Sequence, residues 1–146
     1  MKIPVIYGAE LLSEVAHRWK TQINENSKAW SFYEIFPELN HNAVVGYKFP
    51  PDLAKKLMIV MLTSESLSPR IKLRYDVTQH LLKEAGIEFQ TFNVPRHGRI
   101  AEMMDMILAG DYVSFYLAIL NQTDPGPVRT IDYLKSELSR SKEPIT

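Results

Sequence analysis

A chain of 146 residues has room for one hydrophobic core and is short for two. Its 17 basic and 17 acidic side chains cancel, which argues against a general polyanion partner such as nucleic acid and leaves a small phosphorylated ligand open. Without cysteine there is no disulfide framework, thiol nucleophile or zinc-thiolate site, and the 4 histidines lie too far apart in sequence to form a close metal-ligand pair.

The chain opens on IPVIY, residues 3–7, a β-branched and aromatic run closed by Gly8, which predicts a strand and a turn. That run is too short for a signal-peptide core, and no stretch reads as long enough to span a bilayer, so a cytoplasmic protein with no membrane contact is expected. From Ala9 onward Leu12, Val15, Ala16, Trp19 and Ile23 recur at helical spacing, predicting a helix with one face on a sheet. Glu25 falls just past the last stripe position, where Asn24, Asn26 and Ser27 compete with helical hydrogen bonding and leave an accessible end. A carboxylate at the negative end of a helix dipole suits a general base. His41 lies between Asn40 and Asn42 as Glu25 lies between Asn24 and Asn26, so each titratable group has amide neighbours able to orient it. Both are also ordinary surface residue types, and these residues alone do not decide between the two readings.

Between them, residues 29–36 hold Trp30, Phe32, Tyr33 and Phe36, expected as a core or interface segment in preference to a ligand-stacking platform. Residues 43–47 suggest a short strand, and LMIVML at residues 57–62 predicts a strand buried on both faces, as in a parallel sheet. The hydroxyl-rich residues 63–68 follow, with Ser68 as N-cap and Pro69 opening a helix. Such a loop can bind phosphate, but this one lacks glycine and contains Glu65, which favours simple capping. The helix stops at Gly86, residues 87–94 alternate as a strand, and His97 falls in a loop as a solvated histidine; His17 and His80 are given no role.

Residues 99–121 are helical, with Ile100, Met103, Met104, Ile107, Leu117 and Leu120 as the apolar face and Gly110 with Asp111 marking a bend or break. The methionines are expected as core filling, and Tyr112, Phe115 and Tyr116 as a second burial surface against a subunit or domain. After TDPGPV a last helix carries Ile131, Leu134 and Leu138, and Lys135 sits on the same stripe. A lysine there is partly desolvated, so it either snorkels or serves as an acid or base.

NENSK (residues 24–28), PELNHN (37–42) and DPGPVRTIDYLK (124–135), together with the GDYVSFYLAIL helix, resemble the C-terminal half of the bifunctional phosphoglucose/phosphomannose isomerases, members of the sugar isomerase (SIS) domain family. The resemblance covers nearly the whole chain. It implies an α/β three-layer sandwich around a flavodoxin-like, doubly wound parallel sheet, with residues 1–140 as a single SIS domain and 141–146 as a loose tail. It implies aldose–ketose isomerisation of hexose 6-phosphates through an enediol, with no metal or organic cofactor. Glu25 then matches the base that moves a proton between C1 and C2. His41 matches a ring-opening residue delivered by a neighbouring subunit, and Lys135 a second ring-opening or acid–base group. The partners implied are a hexose 6-phosphate and either a second copy of the chain or an N-terminal SIS domain.

Two departures accompany the resemblance. The family's first domain supplies the phosphate-holding loops and an enediolate-stabilising arginine, and none of those motifs occurs here, so the chain is expected to be one half of such an enzyme. Val128 stands where some relatives have threonine, with Thr130 close by, which leaves the glucose or mannose preference open. The alternative reading is a non-catalytic SIS module that binds sugar phosphate or mediates dimerisation.

Overall fold

The computed structural model describes residues 2–140, so the expected tail at 141–146 lies outside the described residues. Four short runs form one parallel sheet: β1 (Ile3–Ala9), β2 (Phe32–Phe36), β3 (Leu57–Ser64) and β4 (Glu88–Val94), in the order β2-β1-β3-β4. Val5 stands between Phe32 and Ile59, and Met61 between Tyr7 and Thr91, which fixes the register across the sheet. The α-helices of the described residues are α1 (Ser13–Ser27), α2 (Pro69–Glu84), α3 (Arg99–Leu120) and α4 (Arg129–Arg140).

The direction of each crossover decides the layers. β1 leads to β2 on one side through α1, and β3 leads to β4 on the other through α2; right-handed connections therefore place these helices on opposite faces. Side chains agree. Trp19 of α1 meets Phe92 of β4 on one face, while Tyr75 of α2 meets Phe36 of β2 on the other. α3 returns beside α1, giving the expected three layers and flavodoxin-like strand order. The core between them contains Ile6, Leu12, Trp19, Ile59, Met61, Leu62, Leu82 and Met106.

Local departures from the sequence expectations have physical causes. The segment at residues 43–47 is a 3-10 turn (Ala43–Lys48), not a strand. Both edges of β1 are taken, so the β2-to-β3 crossover must pass over the sheet face, where Tyr47 lays its hydroxyl 3.1 Å from that of Tyr7. The aromatic residues 29–36 include the edge strand β2, with Phe36 buried and Phe32 exposed. At the chain start, β1 continues to Ala9 and a 3-10 turn (Glu10–Leu12) precedes α1.

α3 runs unbroken through Gly110 and Asp111. Its buried positions recur every fourth residue, at Glu102, Met106, Gly110, Ser114 and Ala118, and three of the five are small. Small residues let α1 approach closely: a β-carbon on Gly110 would lie 2.4 Å from Trp19 Nε1. The large residues expected as the core face divide: Met103, Ile107 and Leu117 pack partly buried against the core, while Ile100 is 80% and Leu120 78% exposed and Met104 is also in solvent. By length and composition α3 is also apolar enough to cross a membrane, contrary to the expectation that no stretch qualifies. In this fold one side of it packs against α1 while an apolar row faces out.

Candidate active site

The end of α1 is built by the NENSK residues. Asn24 Nδ2 donates to the Ala29 carbonyl at 2.8 Å, Asn26 Nδ2 to Ser114 Oγ at 2.9 Å, and Ser27 Oγ to the Ser114 carbonyl at 2.7 Å. Asn121 Nδ2 in turn donates to the Ser27 carbonyl at 3.1 Å. Lys28 then turns the chain in the left-handed region, at φ 53°. These bonds rivet the helix end to α3. They do not touch the Glu25 carboxylate, which is exposed and without a hydrogen bond or ion pair among the described residues. The flanking amides thus position the turn that bears Glu25, whereas orientation of the carboxylate itself was expected.

Glu25 forms one wall of a cleft of about 550 Å³. The other wall is the linker from α3 into the first turn of α4, including Asp124, Val128, Arg129 and Thr130. That volume lies in the ordinary range for a small-molecule site. Val128, where the resemblance leaves the epimer preference open, therefore faces Glu25 across the cleft.

His41 is elsewhere. α1 runs antiparallel to the strands, and Ser31 Oγ donates to the Pro4 carbonyl, so the α1 end lies at the edge of the sheet where the strands begin. His41 follows β2 at the edge where the strands finish, separated from Glu25 by about 15 Å of strand. Its ring is exposed, and its amide neighbours are engaged with other groups: Asn40 with Thr78 and Arg74, Asn42 with the Ala43 N–H. One chain does not bring Glu25 and His41 together.

Lys135 stands on α4 beyond Ile131, the last cleft residue. The desolvation expected from its place on the apolar stripe is not found. Ile131, Leu134 and Leu138 are themselves exposed because α4 extends off the domain, and Lys135 is exposed with them.

The loops at the finishing edge of the strands hold what the sequence reading missed. Ligands of doubly wound folds gather where the crossovers diverge, here between β1 and β3. In this chain the anion-receptive groups there already hold carboxylates. Glu102, fully buried, accepts from Ser64 Oγ at 2.5 Å, Ser66 Oγ at 2.7 Å and the N–H groups of His97 and Gly98, each at 3.2 Å. The two hydroxyls chiefly, with the N–H groups adding, hold its pKa down to about 2. Glu10 accepts from the Ser68 N–H at the start of α2, and Glu65 from the Arg96 N–H. His97 points both ring nitrogens at acceptors, the Pro95 carbonyl and Asp105, and the carbonyl bond chiefly raises its pKa. A glutamate in the first turn of α3, with Ser64 at the end of β3 and Ser66 just after it, was the legible signal.

The family model for the bacterial phospho-glucose isomerase C-terminal SIS domain matches residues 1–138. The chain belongs to this family. A bifunctional phosphoglucose/phosphomannose isomerase of Caldicellulosiruptor bescii is 42% identical over 143 residues, covering 97% of this SIS domain chain and 42% of its own length. The Aquifex aeolicus protein of the same description is 37% identical over 138 residues, covering 94% and 43%. The SIS domain chain thus spans about two fifths of the length of the curated relatives it matches. Among solved structures, a glucose-6-phosphate isomerase like protein from Thermus thermophilus superposes with a TM-score of 0.66 at 20% identity, over 86% of this chain and 41% of that one. At that identity the likeness speaks for the fold.

Proposed function

We propose that this SIS domain supplies the acid–base groups of a hexose 6-phosphate isomerase acting on glucose 6-phosphate or mannose 6-phosphate, and that Glu25 is the base. The observation that carries the reading is an unpaired, exposed carboxylate on a rigid helix end, facing a cleft of about 550 Å³. In the open-chain aldose, Glu25 removes the C2 proton as the C2 electron pair forms the C1=C2 bond of the enediol and O1 takes up a proton. The protonated carboxyl then returns the proton to C1 while O2 gives up its own to become the ketose carbonyl. His41 and Lys135 serve ring opening, His41 from a second copy of the chain, in keeping with its distance from Glu25. The substrate phosphate is held by a partner half, because the anion-receptive groups described above are filled by Glu10, Glu65 and Glu102. The exposed row on α3 and the stripe on α4 are the surfaces for that half or for a second copy, in the cytoplasm.

The test is conversion of fructose 6-phosphate to glucose 6-phosphate, followed by a coupled assay, with the chain alone and then paired with an N-terminal SIS domain. Glu25→Gln is expected to fold normally and to abolish turnover; turnover equal to the parent would refute the role. The filled anion cradles also favour a second reading, a non-catalytic module. In that case sugar-phosphate binding survives Glu25→Gln and no turnover appears with any partner half.

A further inference from the structure

Lys28 occupies a position that glycine ordinarily takes. The residue after a helix often turns left-handed, a conformation disfavoured for a side chain with a β-carbon. Lys28 adopts it at φ 53° and ψ 29°. What the lysine offers that glycine lacks is its ammonium, which donates to the Glu25 carbonyl at 2.5 Å and to the Pro125 carbonyl at 3.3 Å. The first bond satisfies a carbonyl in the last turn of α1, in the same residue whose carboxylate faces the cleft. The second reaches the linker into α4.

That linker decides where α4 points. Every described α4 residue except Ser136 is exposed, so the helix has no broad packing on the domain to orient it. At the linker's root, Asn121 Nδ2 holds the Ser27 carbonyl, the Thr123 N–H holds the Ala118 carbonyl, and Lys28 holds Pro125. The two bonds that cross to α1 both end on the NENSK residues. Lys28 also stands with Asn24 and Thr130 between the Glu25 cleft and an adjoining cleft of about 520 Å³ lined by Lys20, Trp30 and Phe32. Its ammonium makes no ion pair with the Glu25 carboxylate.

We propose that Lys28 is a positioning residue for the proton transfer: it straps the turn bearing Glu25 to the root of the arm bearing Lys135, so the two walls of the cleft keep one spacing. The inference rests on the reading of Glu25 as base. Small displacements of a base from its proton carry large kinetic costs, on the order of 10²-fold for about 1 Å.

The experiment compares Lys28→Met, Lys28→Arg and Lys28→Gly in the chain paired with an N-terminal SIS domain. Lys28→Met is expected to lower kcat by about 10- to 100-fold while KM for fructose 6-phosphate moves less than about threefold, and Lys28→Arg to recover most of the loss. Lys28→Gly relieves the left-handed backbone but cuts the strap, so its Tm holds or rises while kcat falls as in Lys28→Met. Amide hydrogen exchange across residues 122–128, measured in the chain itself, is expected to accelerate by about tenfold in both ammonium-free variants. Unchanged linker exchange, or parental kcat in Lys28→Gly, would overturn the proposal. If Glu25→Gln keeps its turnover, the base assignment falls on its own, and the linker exchange still decides whether the strap exists.

Discussion

Substituting Gly110 by alanine sets helix propensity against packing, and the geometry predicts which wins. Alanine is favoured over glycine inside a helix by about 1 kcal/mol. At this position, however, the new β-carbon would lie 2.4 Å from Trp19 Nε1, 2.6 Å from Cδ1 and 2.7 Å from Cε2. The indole has no slack: it is 1% exposed, sits edge-on to Phe92 at 5.1 Å, and donates from Nε1 to the Met106 carbonyl at 2.7 Å. Overpacking of this kind costs about 1–3 kcal/mol, and a buried N–H pulled off its acceptor costs about 1–3 kcal/mol more. The net expectation is a loss of about 3 kcal/mol, a fall in Tm of about 10 °C for a chain of this size. Thermal unfolding followed by circular dichroism measures it. Trp19→Ala removes the ring that the new β-carbon meets, so the double variant should lose less than the sum of the two single changes. A Tm for Gly110→Ala at or above the parent value, as propensity alone would give, would refute the close-packing account.

Glu102 makes a prediction in acid. Its folded pKa lies at about 2 against an ordinary 4.5, so the folded state favours the carboxylate more than the unfolded chain does. That contribution is complete above the unfolded value and drains away as pH falls from about 4.5 toward 2. Urea midpoints of the parent and of Glu102→Gln should therefore differ at neutral pH, draw together as pH falls below about 4.5, and converge only near pH 2; a gap independent of pH would contradict the assignment. For the Glu25–His41 division, an equal mixture of Glu25→Gln and His41→Ala chains, each inactive alone, should recover about a quarter of the parental activity if each site of a two-fold dimer draws one residue from each copy. No recovery after subunit exchange would refute delivery of His41 by a second copy.

The strands that bury both faces were the easiest to read, since LMIVML admits few alternatives, and the amphipathic run ending at Trp19 and Ile23 marked α1 equally well. The edge strand β2 was harder. With five residues and aromatic side chains on both sides, it carries the composition of an interface as much as that of a strand. α3 misled for a different reason. Its large apolar residues outnumber the small ones, yet Gly110, Ser114 and Ala118 take three of the five buried seam positions, because close helix approach selects for small side chains that hydropathy does not register. At the candidate site, the sequence singled out Glu25 and the DPGPV linker separately, but neither that they face one another nor the use of the amides beside Glu25, which depends on Ser114, 88 residues away from Asn26. Lys135 was read from its own stripe, but whether that stripe is covered depends on surfaces beyond the chain's own core.

The outward row of α3 also bears on the life of the chain in a cell. Ile100, Met104, Leu108, Phe115 and Ile119 line a helix surface that water wets only at a cost. Surfaces of this kind are what chaperones retain and proteases sample. A copy whose row stays uncovered is thus open to turnover through those residues, and hiding them would lengthen its life.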